Sequence, residues 1–193
     1  KITEAIDRYT LEPTFRLLIG DVQDRSGRLS DALEAWSIAE ELAEPFVWIE
    51  PGTRAVAALL RAGRLVEAGD AALRMVDRSR SSLPAVVLLV QTDAVLARAG
   101  VLDPARAARS LNAAKLIRDE VLADKRPEFS LIIASLEGAV GNTEAARAEL
   151  SLLLDGTQTP ETVADAIAID QAFGLGFADQ LGPMTLPDRV DAP

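Results

Sequence analysis

A short glycine-led segment recurs along the chain and constrains its fold more than any other feature of the sequence. The first copy, Gly-Arg-Leu-Ser-Asp-Ala-Leu-Glu-Ala-Trp, places a turn glycine before a polar residue and a small alanine. This pattern is typical of a turn followed by the start of an amphipathic helix. The four copies begin 36, 37 and 41 residues apart, at Gly27, Gly63, Gly100 and Gly141. A recurrence in this range indicates stacked helical units and not one closed fold.

Helical periodicity continues on both sides of each turn glycine, and it predicts an all-α chain. No segment alternates apolar and polar residues as a strand would. Asp103, an N-cap followed by proline, is the clearest helix start, and Thr159-Pro160 starts the final helix. These signals divide the chain into 1–12, the remnant of a preceding helix or an N-terminal cap; 13–156, four helical hairpins; 157–182, a C-terminal capping helix; and 183–193, a loose tail.

Local signals also predict several details of the first two hairpins. Ser30 or Asp31 is the expected N-cap of the second helix, and Trp36 is expected in the core. Pro51-Gly52 predicts a turn, followed by a helix that begins at Arg54.

Two motifs that can carry chemistry have simpler structural interpretations. Gly174-Leu175-Gly176 resembles the start of a dinucleotide-binding fingerprint, but no strand precedes it, so we expect a turn that ends the last helix. Paired carboxylates can perform acid–base chemistry when burial separates their pKa values. The clustered glutamates lie at the end of a predicted exposed helix face, so we expect a solvated surface: Glu40, Glu41, Glu44 and Glu50.

The first unit, Leu18 to Ala39, resembles a tetratricopeptide repeat (TPR). That family places small residues where Gly20, Ala32 and Ala39 stand, and a large residue where Trp36 stands. The resemblance is good for the first two units and only architectural for the others, whose spacings exceed the family's roughly 34 residues. It implies a right-handed superhelical stack of antiparallel helix hairpins, a TPR-like α-solenoid with degenerate repeats. Other helical-hairpin arrays are the alternative.

The composition disfavours several classes of function. The 193 residues include no cysteine and no histidine, which excludes disulfides, thiolate nucleophiles and imidazole chemistry. The formal charge of −10 argues against nucleic acid as a partner, because phosphate binding requires a basic face. The longest apolar run, Ala85 to Val90, is far shorter than the roughly 20 residues that span a bilayer, so we expect no membrane insertion of this segment. We expect no cofactor, no metal site and no enzymatic activity.

Two groups of residues are candidate partner contacts. Arg25, Arg61 and Arg98 each precede a turn glycine by two residues, so a solenoid would align them in a row. In the resembled family this part of each repeat contributes to a concave peptide-binding groove, where an arginine row would hold carboxylates. The alternative is that each arginine offsets a helix dipole. Phe46 and Trp48 form the second group, either as an exposed aromatic anchor or as side chains buried against the second hairpin.

These features favour a non-catalytic scaffold or adaptor that binds a segment of a partner protein or peptide in the concave groove. The resemblance implies a bacterial assembly in envelope, secretion or polysaccharide machinery, and the compartment, cytoplasm or periplasm, stays open. The alternative is a self-association or spacer domain of a longer polypeptide, and thus a homo-oligomer, which the mean hydropathy of +0.14 favours. Because the first residue is Lys1 and not methionine, we expect this chain to be part of a longer one.

Overall fold

The computed structural model describes residues 12–44, 46–79, 82–118, 126–154 and 159–177. Over these ranges it contains nine α-helices and no strand, as the periodicity predicted. The helices are α1 (Pro13–Arg25), α2 (Leu29–Leu42), α3 (Glu50–Arg61), α4 (Leu65–Arg78), α5 (Leu83–Arg98), α6 (Pro104–Arg118), α7 (Arg126–Ala139), α8 (Thr143–Leu154) and α9 (Pro160–Phe173). The predicted tail, 183–193, and residues 1–11 of the predicted N-terminal remnant lie outside the described residues.

Contacts between Cα atoms divide the chain into two compact units, Lys1–Leu96 and Ala97–Pro193. In the first unit α1 packs against α2, α2 against α3, and α3 against α4. In the second unit α7 packs against α6 and α8, and α9 packs against both α7 and α8. All of these contacts except that between α7 and α9 therefore join helices that are consecutive in sequence.

The four recurring glycines, predicted as turn residues, share one backbone conformation. Their φ angles lie in the left-handed region, where glycine is favoured because it has no β-carbon: 74° at Gly27, 70° at Gly63, 70° at Gly100 and 85° at Gly141. After the first of them, the amide of Arg28 donates to the carbonyl of Gln23 at 2.9 Å, which satisfies a carbonyl at the end of α1.

The predicted N-cap Asp103 is confirmed, and Thr159, the predicted start of the last helix, also caps its helix. The Oδ2 atom of Asp103 accepts a hydrogen bond from the amide of Arg106 at 2.9 Å. The Oγ1 atom of Thr159 accepts one from the amide of Thr162 at 3.2 Å. These caps satisfy amides that have no partner within the first turn of α6 and α9.

The predicted N-cap of α2 is wrong. The helix begins at Leu29, and its capping residue is Arg28, whose side chain makes no capping hydrogen bond. The amide of Ala32 already donates to the carbonyl of Arg28 at 3.0 Å. Since the glycine turn leads directly into the helix, Ser30 and Asp31 lie inside its first turn.

The predicted turn at Pro51-Gly52 is also wrong. Helix α3 begins at Glu50, so both residues lie in its first turn, where proline is tolerated, and both are buried. A β-carbon on Gly52 would lie 2.6 Å from the sulfur of Met75 and 2.7 Å from the Oε1 atom of Glu40. This glycine therefore permits close packing of helices and does not form a turn.

The core of the first unit combines many alanines with a few large side chains. Trp36 is 2% exposed, as predicted, and it lies in a cluster with Leu17, Ala32, Ala39 and Ala58. A second cluster joins α3, α4 and the start of α5, and its buried members are Val56, Leu59, Ala68, Ala71, Ala72, Met75 and Ala85. Small residues allow the helix axes to approach closely, and the larger ones fill the spaces between helices.

The core of the second unit surrounds α7, in which nine consecutive residues, Phe129 to Glu137, are buried. A helix, α9, lies within the range 157–182 predicted for the capping helix, and Gly174 ends it in the left-handed conformation. The sequence did not predict that the chain after this turn enters the core, where Leu175 is 0% and Phe177 is 1% exposed. Within the described ranges, no helix is both long enough and apolar enough to cross a membrane.

Candidate functional site

A groove with a volume of about 750 Å³ lies in the first unit, lined by α2, α3 and α4; we name it the α2–α4 groove. Its apolar and small lining residues are Leu33, Trp36, Gly52, Ala55, Leu59, Ala71 and Met75. Its polar lining residues are Ser37, Glu40, Glu67, Asp70, Arg74, Asp77 and Arg78. The groove therefore offers an apolar surface next to many charged groups.

A smaller cavity of about 220 Å³ is formed where the segment between α2 and α3 meets the end of α4; we name it the connector cavity. Its lining residues are Glu40, Glu44, Phe46, Val47, Trp48, Ile49, Met75 and Arg78. Three of these residues, Glu40, Met75 and Arg78, also line the α2–α4 groove. The two cavities are therefore adjacent.

Both predicted aromatic residues line the connector cavity, in different environments. The amide of Phe46 donates to the carbonyl of Ala43 at 3.0 Å, a turn-type bond that positions the residue just beyond α2. The Phe46 side chain is 80% exposed, whereas Trp48 is half-buried and packs against the Trp36 cluster. Partial burial, the alternative interpretation, thus applies to Trp48 and not to Phe46.

An ion-pair network lies where the α2–α4 groove meets the connector cavity. Arg78, the last residue of α4, donates from Nη1 to Glu40 Oε2 at 2.6 Å and from Nη2 to Glu44 Oε1 at 3.4 Å. The Glu40 side chain is 22% exposed, so the predicted solvated surface is wrong for this residue. Burial raises the pKa of the Glu40 carboxyl above its ordinary value, and the guanidiniums of Arg78 and Arg74 act in the opposite direction.

A second polar network holds the wall of the groove in place. The Nε1 atom of Trp36 lies 3.3 Å from both the carbonyl oxygen of Leu17 and the Oδ1 atom of Asp21. Asp21 Oδ2 also pairs with Arg54 Nη1 at 2.9 Å, and Arg54 Nη2 donates to Glu50 at 2.8 Å. Sequence reasoning missed this network because Asp21 and Arg54 belong to different hairpins, and only the packing of those hairpins brings them together.

Each of the three predicted arginines lies in the last turn of a helix: Arg25 in α1, Arg61 in α3 and Arg98 in α5. Such a position complements the helix dipole. Arg61 Nη2 pairs with Asp24 Oδ2 at 2.6 Å, and Arg98 Nη1 lies 3.5 Å from Asp165 Oδ1. The Asp24 pair gives Arg61 a structural role that needs no ligand. The arginine row itself stays a prediction.

The geometry of the α2–α4 groove and connector cavity suits the binding of another molecule against their surface. A carboxyl group with a raised pKa in a groove can serve acid–base chemistry, but here the Glu40 carboxylate is held by Arg78 in an ion pair. Among the residues that the structure describes, no group of three or more metal-ligating side chains is placed to hold a metal ion.

Family models and curated proteins give no function for these residues. No protein-family model matches this sequence, and no curated protein matches it.

Proposed function

We propose that this chain is a non-catalytic, TPR-like interaction module that binds a segment of a partner protein in the α2–α4 groove. The observation that carries the proposal is Phe46, a large apolar side chain that is 80% exposed beside a groove whose lining includes several apolar side chains. Aromatic side chains of this kind dominate the energetics of many protein interfaces. A partner that covers Phe46 would remove its ring from water and extend into the apolar part of the groove.

The arrangement of helices in the first unit supports the TPR-like part of the proposal. Two hairpins follow each other, and each has a left-handed glycine between its helices, Gly27 in the first and Gly63 in the second. Gly20 lies against Trp36, in agreement with the small and large positions of the resembled repeat. We extend this arrangement to a right-handed superhelical array as part of the proposal.

The proposed binding surface differs in position from the concave groove expected from the resemblance. The α2–α4 groove is lined mainly by α2 and α4, the second helices of the two hairpins, together with α3. A concave surface on the first helices, with its arginine row, stays a separate prediction.

Selection of binders from a random library of peptides of about 15 residues, a length that suits helix-in-groove or extended recognition, tests the proposal. Phe46→Ser removes the exposed aromatic ring. Leu116→Ser is the matched control, since Leu116 is 79% exposed and lies on α6 in the second unit. We expect peptides whose affinity falls at least about tenfold with Phe46→Ser and is unchanged with Leu116→Ser. A selection that yields no Phe46-dependent binder would contradict the proposal.

Self-association is a second candidate function, favoured by the outer face of α1. Leu18 is 54% and Val22 is 60% exposed, and one helical turn separates them. Light scattering over a range of concentrations tests this alternative. A dimer that dissociates on Leu18→Ser would support it, and a concentration-independent monomer would exclude it.

A further inference from the structure

The charges around the α2–α4 groove and connector cavity indicate the chemistry of the segment that fits them. Carboxylates outnumber guanidiniums among the lining residues: Glu40, Glu44, Glu67, Asp70 and Asp77 against Arg74 and Arg78. Arg64 pairs with Glu67 at 2.5 Å but does not line the groove. The carboxylates remain in excess even when Arg64 is counted among the guanidiniums. A surface that combines apolar side chains with an excess of carboxylates is complementary to an apolar segment that carries basic side chains.

The connector cavity supplies a specific place for one such basic side chain. Its lining includes the rings of Phe46 and Trp48 together with the carboxylates of Glu40 and Glu44. Aromatic faces attract cations, and adjacent carboxylates accept hydrogen bonds from ammonium or guanidinium groups. An aromatic and acidic lining of this kind suits the end of a lysine or arginine side chain.

The ion pairs around this cavity hold one carboxylate only by a long contact. Arg78 holds Glu40 at 2.6 Å, but its contact with Glu44 is 3.4 Å, and the Glu44 side chain is 69% exposed. An incoming cation can therefore bind Glu44 without breaking the shorter pair. Burial raises the pKa of the Glu40 carboxyl, and an additional cation nearby would offset that effect.

We propose that the occupant of the α2–α4 groove is a basic amphipathic segment of another protein, with a lysine or arginine side chain seated in the connector cavity against Trp48 and Glu44. This inference rests on the proposed function, since it names the class of segment that the groove binds. It also assigns Glu44 a role in recognition.

A set of three synthetic peptides tests the inference. Each has about 15 residues, a length at which an isolated helix is marginal in water, with leucines on one face and arginine, glutamine or glutamate on the other. Binding is followed by fluorescence, because the chain has two tryptophans, of which Trp48 lines the connector cavity while Trp36 is 2% exposed in the wall of the groove. A Trp48→Phe variant identifies the part of the signal that comes from that residue.

We expect the arginine peptide to bind at least about tenfold more tightly than the glutamate peptide, and to weaken as salt is added. Glu44→Gln should weaken the arginine peptide severalfold. The control, Glu144→Gln, should not, because Glu144 is on α8 in the second unit and its side chain is 85% exposed. Circular dichroism confirms that both variants stay folded.

The outcomes separate this inference from the proposed function. Phe46-dependent binding of the glutamine or glutamate peptide with equal affinity would overturn the basic-segment inference and leave the groove as a binding site. An arginine peptide whose affinity is the same for Glu44→Gln and wild type would overturn the role of Glu44. Failure of the library selection to yield any Phe46-dependent peptide would overturn the proposed function, and this inference with it.

Discussion

The indole ring of Trp36 lies where a side chain on Gly20 would otherwise be. A β-carbon at position 20 would come within 2.5 Å of the ring atom Cδ1 and 2.9 Å of Cε2. Such distances are much shorter than a van der Waals contact, so α1 and α2 can adopt this packing only with glycine at position 20. The contact also holds the Trp36 side chain where it lines the α2–α4 groove.

Gly20→Ala is expected to destabilise the first unit despite the higher helix propensity of alanine. Propensity favours alanine by about 1 kcal/mol, whereas overpacking of a close contact costs about 1–3 kcal/mol. Urea unfolding gives the free energy for the single variant and for the double variant with Trp36→Leu. In the Trp36→Leu background the same change should be neutral or stabilising, because the ring is gone. A stabilising effect of Gly20→Ala alone would contradict the contact.

Glu40 is expected to make stability depend on pH in a defined direction. Burial raises its pKa in the folded chain, so the folded state holds this proton more tightly than the unfolded state. The stabilisation that protonated Glu40 gives the folded state is therefore fully present below the pKa of this carboxyl in the unfolded chain. It is lost as the pH rises through the raised pKa in the folded chain.

Glu40→Gln removes this titration, so the variant's stability relative to wild type should increase between about pH 4 and about pH 7. Unfolding curves at several pH values measure the difference, and Glu34→Gln on the exposed side of α2 provides the baseline. A relative stability that falls over this range would show that the carboxylate is favoured in the folded chain.

The Asp24–Arg61 pair is expected to contribute little to stability although its atoms lie 2.6 Å apart. Arg61 is 62% exposed, and solvent and salt screen an exposed ion pair. A double-mutant cycle with Asp24→Ala and Arg61→Ala should give a coupling below about 1 kcal/mol, smaller still in high salt. A larger coupling that salt does not reduce would contradict this estimate.

The segment after α9 is expected to be essential for the second unit. The ring of Phe177 is 1% exposed, and its amide donates to Asp170 Oδ1 at 2.7 Å. Arg147 Nε donates to the carbonyl of Leu175 at 2.8 Å.

Phe177→Ala should cost about 3–5 kcal/mol in the free energy of unfolding. Leu152→Ala is the control, since Leu152 is 59% exposed and its truncation should cost little. Equal effects of the two changes would show that the segment is not part of the core.

The helices were predictable because their signals are local. A glycine such as Gly63 ends a helix through its own backbone conformation, and Asp103 caps a helix whose amide lies three residues away. These features depend on a few consecutive residues, so periodicity and turn chemistry identify them without knowledge of the packing.

The candidate site was predictable only in part because most of it depends on contacts between distant residues. Phe46 and Trp48 were recognisable as aromatic residues in a connector. The burial of Glu40 follows from its pairing with Arg78, 38 residues away, and the need for glycine at position 52 follows from Met75. No local pattern contains either relationship.

The end of α9 shows a signal that sequence reasoning could have used. Leu175 and Phe177 are apolar residues that alternate with the left-handed glycines Gly174 and Gly176. Two large apolar side chains directly after a helix-ending turn fit a chain that folds back onto the helix, and both are buried.

The binding of a partner segment in the α2–α4 groove is tested most directly by an NMR map of a selected peptide on the protein. Amide shifts of the isotope-labelled chain, recorded with and without the peptide, show which residues the peptide contacts. We predict that the largest changes lie at the groove and connector cavity, including Ser37, Phe46, Trp48 and Met75. Largest changes on the outer face of α1 or in the second unit, with the groove unaffected, would contradict the proposed site.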